Sequence, residues 1–600
     1  MKTMKKISII FSVILLLTGF ASCEQLDLIP KDKMSDQDYF KNATELELFS
    51  NPFYNDLLDK SPFDEQSDVI VNAILDEILI GGQRRTVPAS GGGWNWGTLR
   101  RINTLLENVD RSEDKEAVVK YTAVARFFRA YFYFDKVQRF GDVPWYDKQL
   151  NSTDEDLYKP RDSRELIMSK MIEDIDYAIA NLPSGKSVYR VNRWSALALK
   201  SRFTLFEGTY RKYHNLEIEG KDYKYYLDLA AKSALEIIEK GPYKIHSTGN
   251  PDKDYLMLFA TPDANTDEYI LAIKFDYALG IRNNASAYTL LTSQGRPGLT
   301  RKFVNSYLMK DGSRFTDQNG WEVMSFNEET SDRDPRLKQS MRTPGYTRIN
   351  KTTMLAPELE VATTGYQPVK FVQDPASNSG NNDRTGSSDV DMPVFRYAEV
   401  LLNYAEAKAE LGTLNQNDID ISIKELRDRV GMPNLNMADV NANPDEYLSS
   451  ATYGYPNVSG NNKGVILEIR RERTIELLQE GLRFADLCRW KSGKSIDQPI
   501  TGAYFEGPGE YDLSGDGNVD LILYTSEEEK PAEREGVSLY ELGKDLILTE
   551  GTKGYLNYHH NAERNGFNEE RDYLYPIPID ERTLNPNLTQ NYGWNDGLGY

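Results

Sequence analysis

Amphipathic helical patterns joined by short connections constrain the fold of this chain more than any other sequence feature. In one of them, apolar side chains recur three or four positions apart, as on one face of an α-helix: Ala117, Tyr121, Ala125, Phe128 and Phe132. Gly141 and Pro144 end this pattern, because neither residue suits a helix interior. Similar patterns fill most of residues 97–245, and short connections between such helices imply antiparallel pairs. The pairs resemble tetratricopeptide repeats, although no clean period of about 34 residues is present.

The rest of the chain divides into a loop-rich part and a second helical part. Between about residues 246 and 394, Gly, Pro, Ser, Asn and Asp separate short apolar pieces, which is typical of loops. Residues 269–275 form the clearest predicted strand of this part. Helical spacing returns over about 395–490, and the final hundred residues are irregular. The patterns together predict a mainly α fold with a little β structure.

The N-terminus has the three parts of an export signal. Lys2, Lys5 and Lys6 precede an apolar run over residues 7–17, and Ala-Ser-Cys23 follows it. This order is typical of a signal peptide, and Ala-Ser-Cys resembles the bacterial lipobox, whose cysteine is lipidated. The alternative, a membrane-spanning anchor, requires about 20 apolar residues, and this run is shorter. We predict a signal peptide over residues 1–22, a lipid on Cys23, a tether over 23–40 and a single domain over 41–600.

Charge and cysteine content exclude several classes of protein. The formal net charge is −21, which argues against binding to nucleic acid and against docking on an anionic lipid surface. We therefore expect contact with a membrane only through the lipid. The two cysteines are Cys23 and Cys488, so lipidation of Cys23 leaves no pair for an internal disulfide and no Cys-rich zinc site.

Residues 468–489 are dense in charges of both signs. Glu468 with Arg471, and Arg473 with Glu476, are three positions apart, a spacing that supports a helix. An enzyme could use Arg471 or Arg473 to bind a substrate carboxylate. We interpret these residues instead as internal ion pairs of the scaffold.

Several segments together resemble the SusD/RagB family of surface lipoproteins from Bacteroidetes-type bacteria. They occur in the family's order and span nearly the whole chain. The segments are Cys23-Glu-Gln-Leu-Asp with Pro30, residues 125–134 followed by 141–145, Arg333-Asp-Pro-Arg-Leu337, residues 396–407, residues 468–490, and Tyr575-Pro-Ile-Pro-Ile-Asp580 with 585–587.

The resemblance implies an architecture, a partner and a ligand class. It implies a helical domain with tetratricopeptide-like pairs on one side and a loop-rich, ligand-facing side, held by lipid at the cell surface of the outer membrane. It also implies a non-enzymatic protein that works with a SusC-like TonB-dependent transporter. Family members mostly capture oligosaccharides, and some capture peptides.

Four aromatic residues in polar loops are the candidate ligand-binding residues. Trp94 follows three glycines, Trp321 follows Asn-Gly, Tyr346 follows Gly345, and Tyr288 lies in a polar segment. An exposed flat ring can stack on the apolar face of a sugar. Trp96 begins a helical pattern, so we expect its ring to pack inward.

An Asp-rich segment resembles a calcium-binding loop. Oxygen-bearing side chains recur at alternate positions: Asp512, Ser514, Asp516, Asn518 and Asp520. This spacing suits Ca²⁺, but Leu523 stands where an EF-hand has a bidentate glutamate, and the flanks predict strands. The alternative is a turn rich in Asp and Asn without metal. Both interpretations, a calcium-binding loop and a metal-free turn, stay open. Ca²⁺ is the only cofactor that the sequence suggests.

Catalytic motifs give little support for an enzyme. No Gly-x-Ser-x-Gly, His-Glu-x-x-His or phosphate loop is present, and we assign no catalytic residue. A glycoside hydrolase needs only two carboxylates, so that alternative stays open among many acidic residues. The sequence therefore predicts surface capture of oligosaccharides, with peptide capture and surface glycoside hydrolysis as alternatives.

Overall fold

The structure is a computed structural model that describes residues 39–599. The predicted signal peptide, Cys23 and nearly all of the predicted tether lie outside the described residues. Among the described residues, no helix combines the length and the apolar character needed to cross a membrane.

Long helices dominate the N-terminal half. The helices are α1 (Ala43–Leu57), α2 (Glu77–Ile80), α3 (Gly97–Asn108), α4 (Lys115–Phe140), α5 (Arg164–Asn181), α6 (Arg193–His214) and α7 (Tyr223–Lys240). Helix α4 packs on α5 and α6 packs on α7, which gives the expected consecutive pairs.

Side-chain caps fix where these helices begin. Asp114 accepts a hydrogen bond from the Ala117 backbone N–H at the start of α4. Asn192 and Ser195 form a reciprocal capping box at the start of α6. Each cap satisfies backbone donors that would otherwise lack partners in the first helical turn.

The middle of the chain contains only short elements. The helices here are α8 (Asp254–Ala260), α9 (Ala285–Leu290), α10 (Arg301–Ser306), α11 (Phe326–Thr330) and α12 (Leu337–Ser340). The strands are β1 (Ile70–Val71), β2 (Tyr269–Ile273), β3 (Gly298–Leu299) and β4 (Met392–Arg396). Strand β1 pairs with β3, and β2 pairs with β4, both antiparallel. Because β4 leads directly into the next long helix, the β2–β4 pair joins the loop-rich part to the helices.

The C-terminal part begins helical and ends in small sheets. Its helices are α13 (Tyr397–Leu411), α14 (Gln416–Asp420), α15 (Ile423–Arg429), α16 (Met437–Ala442), α17 (Glu446–Ser449), α18 (Lys463–Glu476), α19 (Arg483–Arg489) and α20 (Ile579–Leu584). The strands are β5 (Tyr504–Phe505), β6 (Gly509–Tyr511), β7 (Leu521–Tyr524), β8 (Ser538–Glu541) and β9 (Gly554–Tyr555). The prediction of a mainly α fold with paired helices and little β structure is confirmed.

Two large apolar clusters form the core. One joins α1, α3–α7, α13 and α18, and the other lies under the loop-rich part and the small C-terminal sheets. The C-terminal segment returns to the first cluster, since the Tyr575 backbone N–H donates to the Arg139 carbonyl at 2.6 Å. The Asn591 amide likewise donates to the Phe140 carbonyl at 3.1 Å. These hydrogen bonds join the C-terminal segment to the end of α4, although the two are far apart in sequence.

A buried ion network joins α18 to the loop-rich part. Glu476 is central, because its carboxylate accepts hydrogen bonds from Arg429 at 2.6 and 2.7 Å and from Arg396 at 2.8 Å. Arg336 adds a third guanidinium at 3.2 Å. Among the described residues, ion pairs of 3.3 Å or less link the cations Arg336, Lys370, Arg396, Arg427 and Arg429 to the anions Glu268, Asp334, Glu472, Glu476 and Glu480. Their opposite charges balance, as burial of ionised groups requires.

The structure supports the scaffold interpretation of residues 468–489. Glu468 and Arg471 form the expected pair at 2.8 Å, and both are buried. Arg473 differs, because it pairs with Asp486 at 2.7 Å and not with Glu476. These guanidinium groups bind carboxylates of the same chain inside the protein.

Candidate functional site

Trp94 lies inside the protein. Its side chain is only 6% exposed, and its ring packs at 4.9 Å from Phe140 and 5.3 Å from Trp96. A hydrogen bond fixes the glycine turn before Trp94 to α4, since Lys136 Nζ donates to the Gly93 carbonyl at 2.8 Å. The expectation of an exposed ring is therefore wrong for Trp94, whereas Trp96 is packed against the core as expected.

Tyr288 is also buried, for a different reason. The polar segment around it forms α9, and its ring stacks on Phe63 with centroids 4.5 Å apart. Its hydroxyl donates to Asn72 Oδ1 at 2.9 Å. The side chain is 6% exposed, so the expectation of an exposed ring is wrong here too.

Tyr346 is partly buried in a turn beside the Asp-rich loop. The Arg342 guanidinium lies 5.6 Å from its ring centroid, and burial raises the pKa of its hydroxyl. The neighbouring Gly345 N–H donates to the Ser514 carbonyl at 2.7 Å. None of the described ring contacts joins Trp94, Trp321, Tyr288 and Tyr346 to one another.

Trp321 belongs to a partly exposed aromatic cluster, which we call the aromatic shelf. Gly320 has φ 79°, a left-handed conformation that favours glycine, and it starts the short turn Trp321–Val323. The Trp321 ring meets Tyr447 edge-on at 5.8 Å, and Tyr447 stacks on Tyr453 at 4.7 Å. Tyr504 and Tyr555 form a neighbouring pair at 5.8 Å. The aromatic shelf comprises Trp321, Tyr447, Tyr453, Tyr504 and Tyr555.

A buried arginine holds the two halves of the aromatic shelf together. Arg301 donates to the carbonyls of Trp321 at 3.3 Å and Glu322 at 3.1 Å, while its guanidinium lies 4.5 Å from the Tyr555 ring centroid. The Tyr555 hydroxyl also donates to the Glu322 carbonyl at 2.9 Å. Arg301 is itself fixed by Glu329 at 2.9 Å. The rings therefore stand on a rigid support.

The aromatic shelf presents ring faces together with hydroxyl groups. Tyr453 is 38% exposed, and Trp321, Tyr504 and Tyr555 are partly exposed. Burial raises the pKa of the Tyr555 hydroxyl despite the Arg301 charge, and Tyr453 and Tyr504 lie close enough to contribute. The Tyr555 hydroxyl therefore stays protonated at neutral pH; it donates its proton to the Glu322 carbonyl and can still accept a hydrogen bond.

The Asp-rich loop connects β6 to β7 and uses its carboxylates locally. Asp520 Oδ2 accepts the Leu513 and Ser514 N–H groups at 2.8 and 2.7 Å. Asp512 accepts the Gly515 and Gly517 N–H groups at 2.7 and 2.8 Å. Asp516 accepts the Asn518 N–H at 2.8 Å, and both of these residues are exposed whereas Ser514 is buried.

These residues do not fit a calcium ion as they are placed. Over residues 39–599, no group of three or more His, Cys, Asp or Glu side chains is arranged to hold a metal. Asp512, Asp516 and Asp520 are therefore not brought together as one ligand set. Backbone N–H groups satisfy the carboxylates instead, as in turns rich in Asp and Asn.

Chelation is expected to leave the protein's stability unchanged. A ligand that binds only the native state raises the melting temperature, and the Asp-rich loop gathers no ligand set that a chelator could empty. Melting curves measured by differential scanning fluorimetry in EDTA and in CaCl₂ should coincide. A lower melting temperature in EDTA that CaCl₂ restores, and that Asp512→Asn abolishes, would contradict this prediction.

Comparison with known proteins decides the family. A family model described as the SusD family matches residues 273–594. A second model, described as starch-binding and associating with the outer membrane, matches residues 95–205. This chain belongs to the SusD family.

Relatives of this SusD-family chain are similar along most of their length. A SusD-like protein of Formosa agariphila is 23% identical over 552 residues, covering 84% of this chain and 95% of the relative. A SusD-like carbohydrate-binding protein of Bacteroides fragilis has a crystal structure with TM-score 0.68 and 21% identity, covering 92% and 99% of the two chains. A second SusD-like protein of that organism gives TM-score 0.67. At such identities the structural likeness establishes the fold alone.

The aromatic shelf of this SusD-family chain was only partly visible in the sequence. Trp321 was a candidate, but Tyr453, Tyr504 and Tyr555 were missed. Tyr453 and Tyr555 each stand next to a glycine, the same signal that selected Trp94 and Trp321. A neighbouring glycine therefore marked these tyrosines too, but such a glycine does not indicate whether a ring is exposed or buried.

Proposed function

We propose that this protein captures oligosaccharides at the cell surface and delivers them to a SusC-like TonB-dependent transporter, without cleaving them. The observation that carries this proposal is the aromatic shelf, a rigid and partly exposed set of rings in which Trp321 of the loop-rich part lies beside tyrosines of the C-terminal part. We infer that Trp321 and Tyr453 are its main contacts with the sugar.

Physical chemistry supports a sugar at the aromatic shelf. The C–H groups on one face of a pyranose are apolar and pack on a flat ring, while its hydroxyls require hydrogen-bond partners. The aromatic shelf offers ring faces and, beside them, tyrosine hydroxyls and the exposed Glu322 carboxylate. Few rotatable bonds are lost when rigid rings bind.

Modest affinity suits a protein that must release its ligand to a transporter. Two or three ring contacts contribute about 1 kcal/mol each, and hydrogen bonds add to this before the entropic cost of association is subtracted. We expect a net binding free energy of about −4 to −8 kcal/mol, roughly millimolar to micromolar.

The comparisons support the ligand class and the location. One matching family model is described as starch-binding and associating with the outer membrane, and one structural neighbour is described as a carbohydrate-binding protein. The acidic chain suits a neutral ligand better than a polyanion. The transporter partner and the outer-membrane location are proposed on the family and on the N-terminal sequence.

A panel experiment tests the proposed function. The purified protein should be retarded by at least one neutral polysaccharide in affinity electrophoresis, bind its oligosaccharides by calorimetry, and release no shorter products on incubation. Binding to peptides but to no glycan would favour peptide capture. Appearance of cleavage products that chromatography detects would favour the glycoside hydrolase.

The lipid anchor is tested separately at Cys23. Cys23→Ala should release the protein from the membrane fraction, because the variant has no thiol to accept acyl chains and two or more chains are needed for firm anchoring. Fractionation with alkaline washing and blotting measures this. Cys488→Ala is the matched control, and a Cys23→Ala protein that still resists the wash in cells lacking the transporter would contradict the prediction.

A further inference from the structure

A groove distinct from the aromatic shelf lies between the start of α3, residues 144–158 and α20. Its volume is about 510 Å³, within the range of about 300–1,000 Å³ that small-molecule sites occupy. We call it the Trp96 groove, and its walls include Trp96, Leu99, Tyr146, Leu157, Tyr158 and Leu584. It shares no residue with the aromatic shelf.

Large apolar side chains remain uncovered around the Trp96 groove. Leu157 is 37% exposed, Tyr158 is 52% exposed and Leu584 is 70% exposed. A concentration of apolar side chains at one concave place indicates a binding surface, whereas single exposed apolar residues are ordinary. The apolar character also exceeds what a bare, hydroxyl-rich sugar needs.

Flat rings give the interior of the Trp96 groove its shape. Trp96 and Tyr146 meet edge-on, with centroids 5.4 Å apart and planes at 81°. Trp96 is held in turn by Phe132 at 5.6 Å, so its ring cannot turn freely. A planar aryl group can lie against such fixed rings, because edge-to-face and offset contacts are favourable.

Charged groups of both signs line the Trp96 groove. Arg100 and Glu581 both belong to its lining, and neither forms an ion pair with any other residue in the described range 39–599. Burial, followed by the charge of Asp580, raises the pKa of Glu581. A hydroxyl can donate to Glu581 and accept from Arg100, so this pair of opposite charges suits a neutral polyhydroxyl group better than an ion of either sign.

We propose that the Trp96 groove binds neutral sugars that carry an aryl substituent. In this proposal the aryl group packs against Trp96, Leu157 and Leu584, and the sugar hydroxyls bind Arg100 and Glu581. This second site goes beyond the proposed function, because it does not depend on the aromatic shelf and selects for the substituent.

Two matched probes test this site. Phenyl β-D-glucopyranoside should bind the purified protein, measured by calorimetry and by tryptophan fluorescence, about 10- to 100-fold more tightly than methyl β-D-glucopyranoside, since only the former offers ring contacts. The proposal is overturned if the phenyl glucoside shows no saturable binding at millimolar concentration, or if both glucosides bind equally.

Exposed residues allow variants that leave the fold intact. Leu584→Asp and Leu157→Asp should each weaken phenyl glucoside binding at least about tenfold, because a carboxylate replaces apolar contact, with unchanged melting temperatures. Ile74 lies outside the groove and is 88% exposed. Ile74→Asp should therefore change neither phenyl glucoside binding nor the melting temperature.

The aromatic shelf provides the second control. Tyr453→Ala should leave phenyl glucoside binding unchanged while weakening oligosaccharide binding. Loss of phenyl glucoside binding in Tyr453→Ala, or its survival in the Leu157→Asp Leu584→Asp double variant, would overturn the Trp96 groove as its site. If only the proposed function is wrong, the wild type should bind no oligosaccharide but should still bind phenyl glucoside.

Discussion

Replacing Trp321 and Tyr453 together with alanine is expected to weaken oligosaccharide binding by about 30- to 150-fold, equivalent to about 2–3 kcal/mol. The reason is the loss of two stacking faces that Arg301 and Tyr447 hold in place. The measurement is calorimetry with the oligosaccharide that the wild type binds. Each single variant should lose about half of this free energy, because the two rings offer separate faces.

Two control variants separate ligand contact from stability. Tyr592→Ala removes a tyrosine that is 77% exposed and should change neither binding nor melting temperature. Trp94→Ala removes a buried ring and should destabilise the fold by about 3–5 kcal/mol. Wild-type affinity in the Trp321→Ala Tyr453→Ala variant, with a normal melting curve, would contradict the aromatic shelf as the sugar site.

Local sequence patterns predicted the helices well because helix formation is a local property. The spacing that predicted a second helical part corresponds to α13 and α18, and the predicted strand at 269–275 corresponds to β2. Residues 477–480 are the exception. The periodic pattern continues through them, yet α18 ends at Glu476, and Gln479 has φ 58°. Tertiary contacts of Glu480 with Lys370 and Arg396 determine the chain path there.

The direction of a ring is not a local property, which explains the errors at Trp94 and Tyr288. Glycines correctly indicated a turn before Trp94, since Gly91, Gly92 and Gly93 all have positive φ. The turn brings the ring onto Phe140 of α4, about 45 residues away in sequence. Neither composition nor spacing records that contact. The same holds for Tyr288, whose partner Phe63 lies in a distant segment.

Ion pairing shows the same division between local and distant information. Helical spacing identified the Glu468–Arg471 pair, because both residues lie on one helix. The same spacing paired Glu476 with Arg473, but the partners of Glu476 are Arg396 of β4, Arg429 of α15 and Arg336, which immediately precedes α12. Only the folded chain brings these three arginines to one carboxylate.

Removing that carboxylate should be the most destabilising single change in this network. Glu476→Ala leaves Arg336, Arg396 and Arg429 without their shared partner in a buried place. Removing one member of a buried ion pair costs about 3–5 kcal/mol, and we expect a loss in this range by urea unfolding at pH 7. Glu528→Ala, at an exposed glutamate, should change stability by less than about 0.5 kcal/mol.

The pH dependence of this difference distinguishes lost charge from lost packing. Three arginines outweigh the burial of Glu476 and hold its pKa well below the ordinary value of 4.5. The unfolded chain therefore takes up a proton at this residue at a pH where the folded chain does not. The stability that Glu476 contributes is fully present above pH 4.5 and falls by about 1.4 kcal/mol per pH unit below it. The difference in unfolding free energy between wild type and Glu476→Ala should accordingly become smaller as the pH falls below 4.5. A gap that stays constant with pH would mean that the side chain stabilises the fold by packing and not by its charge.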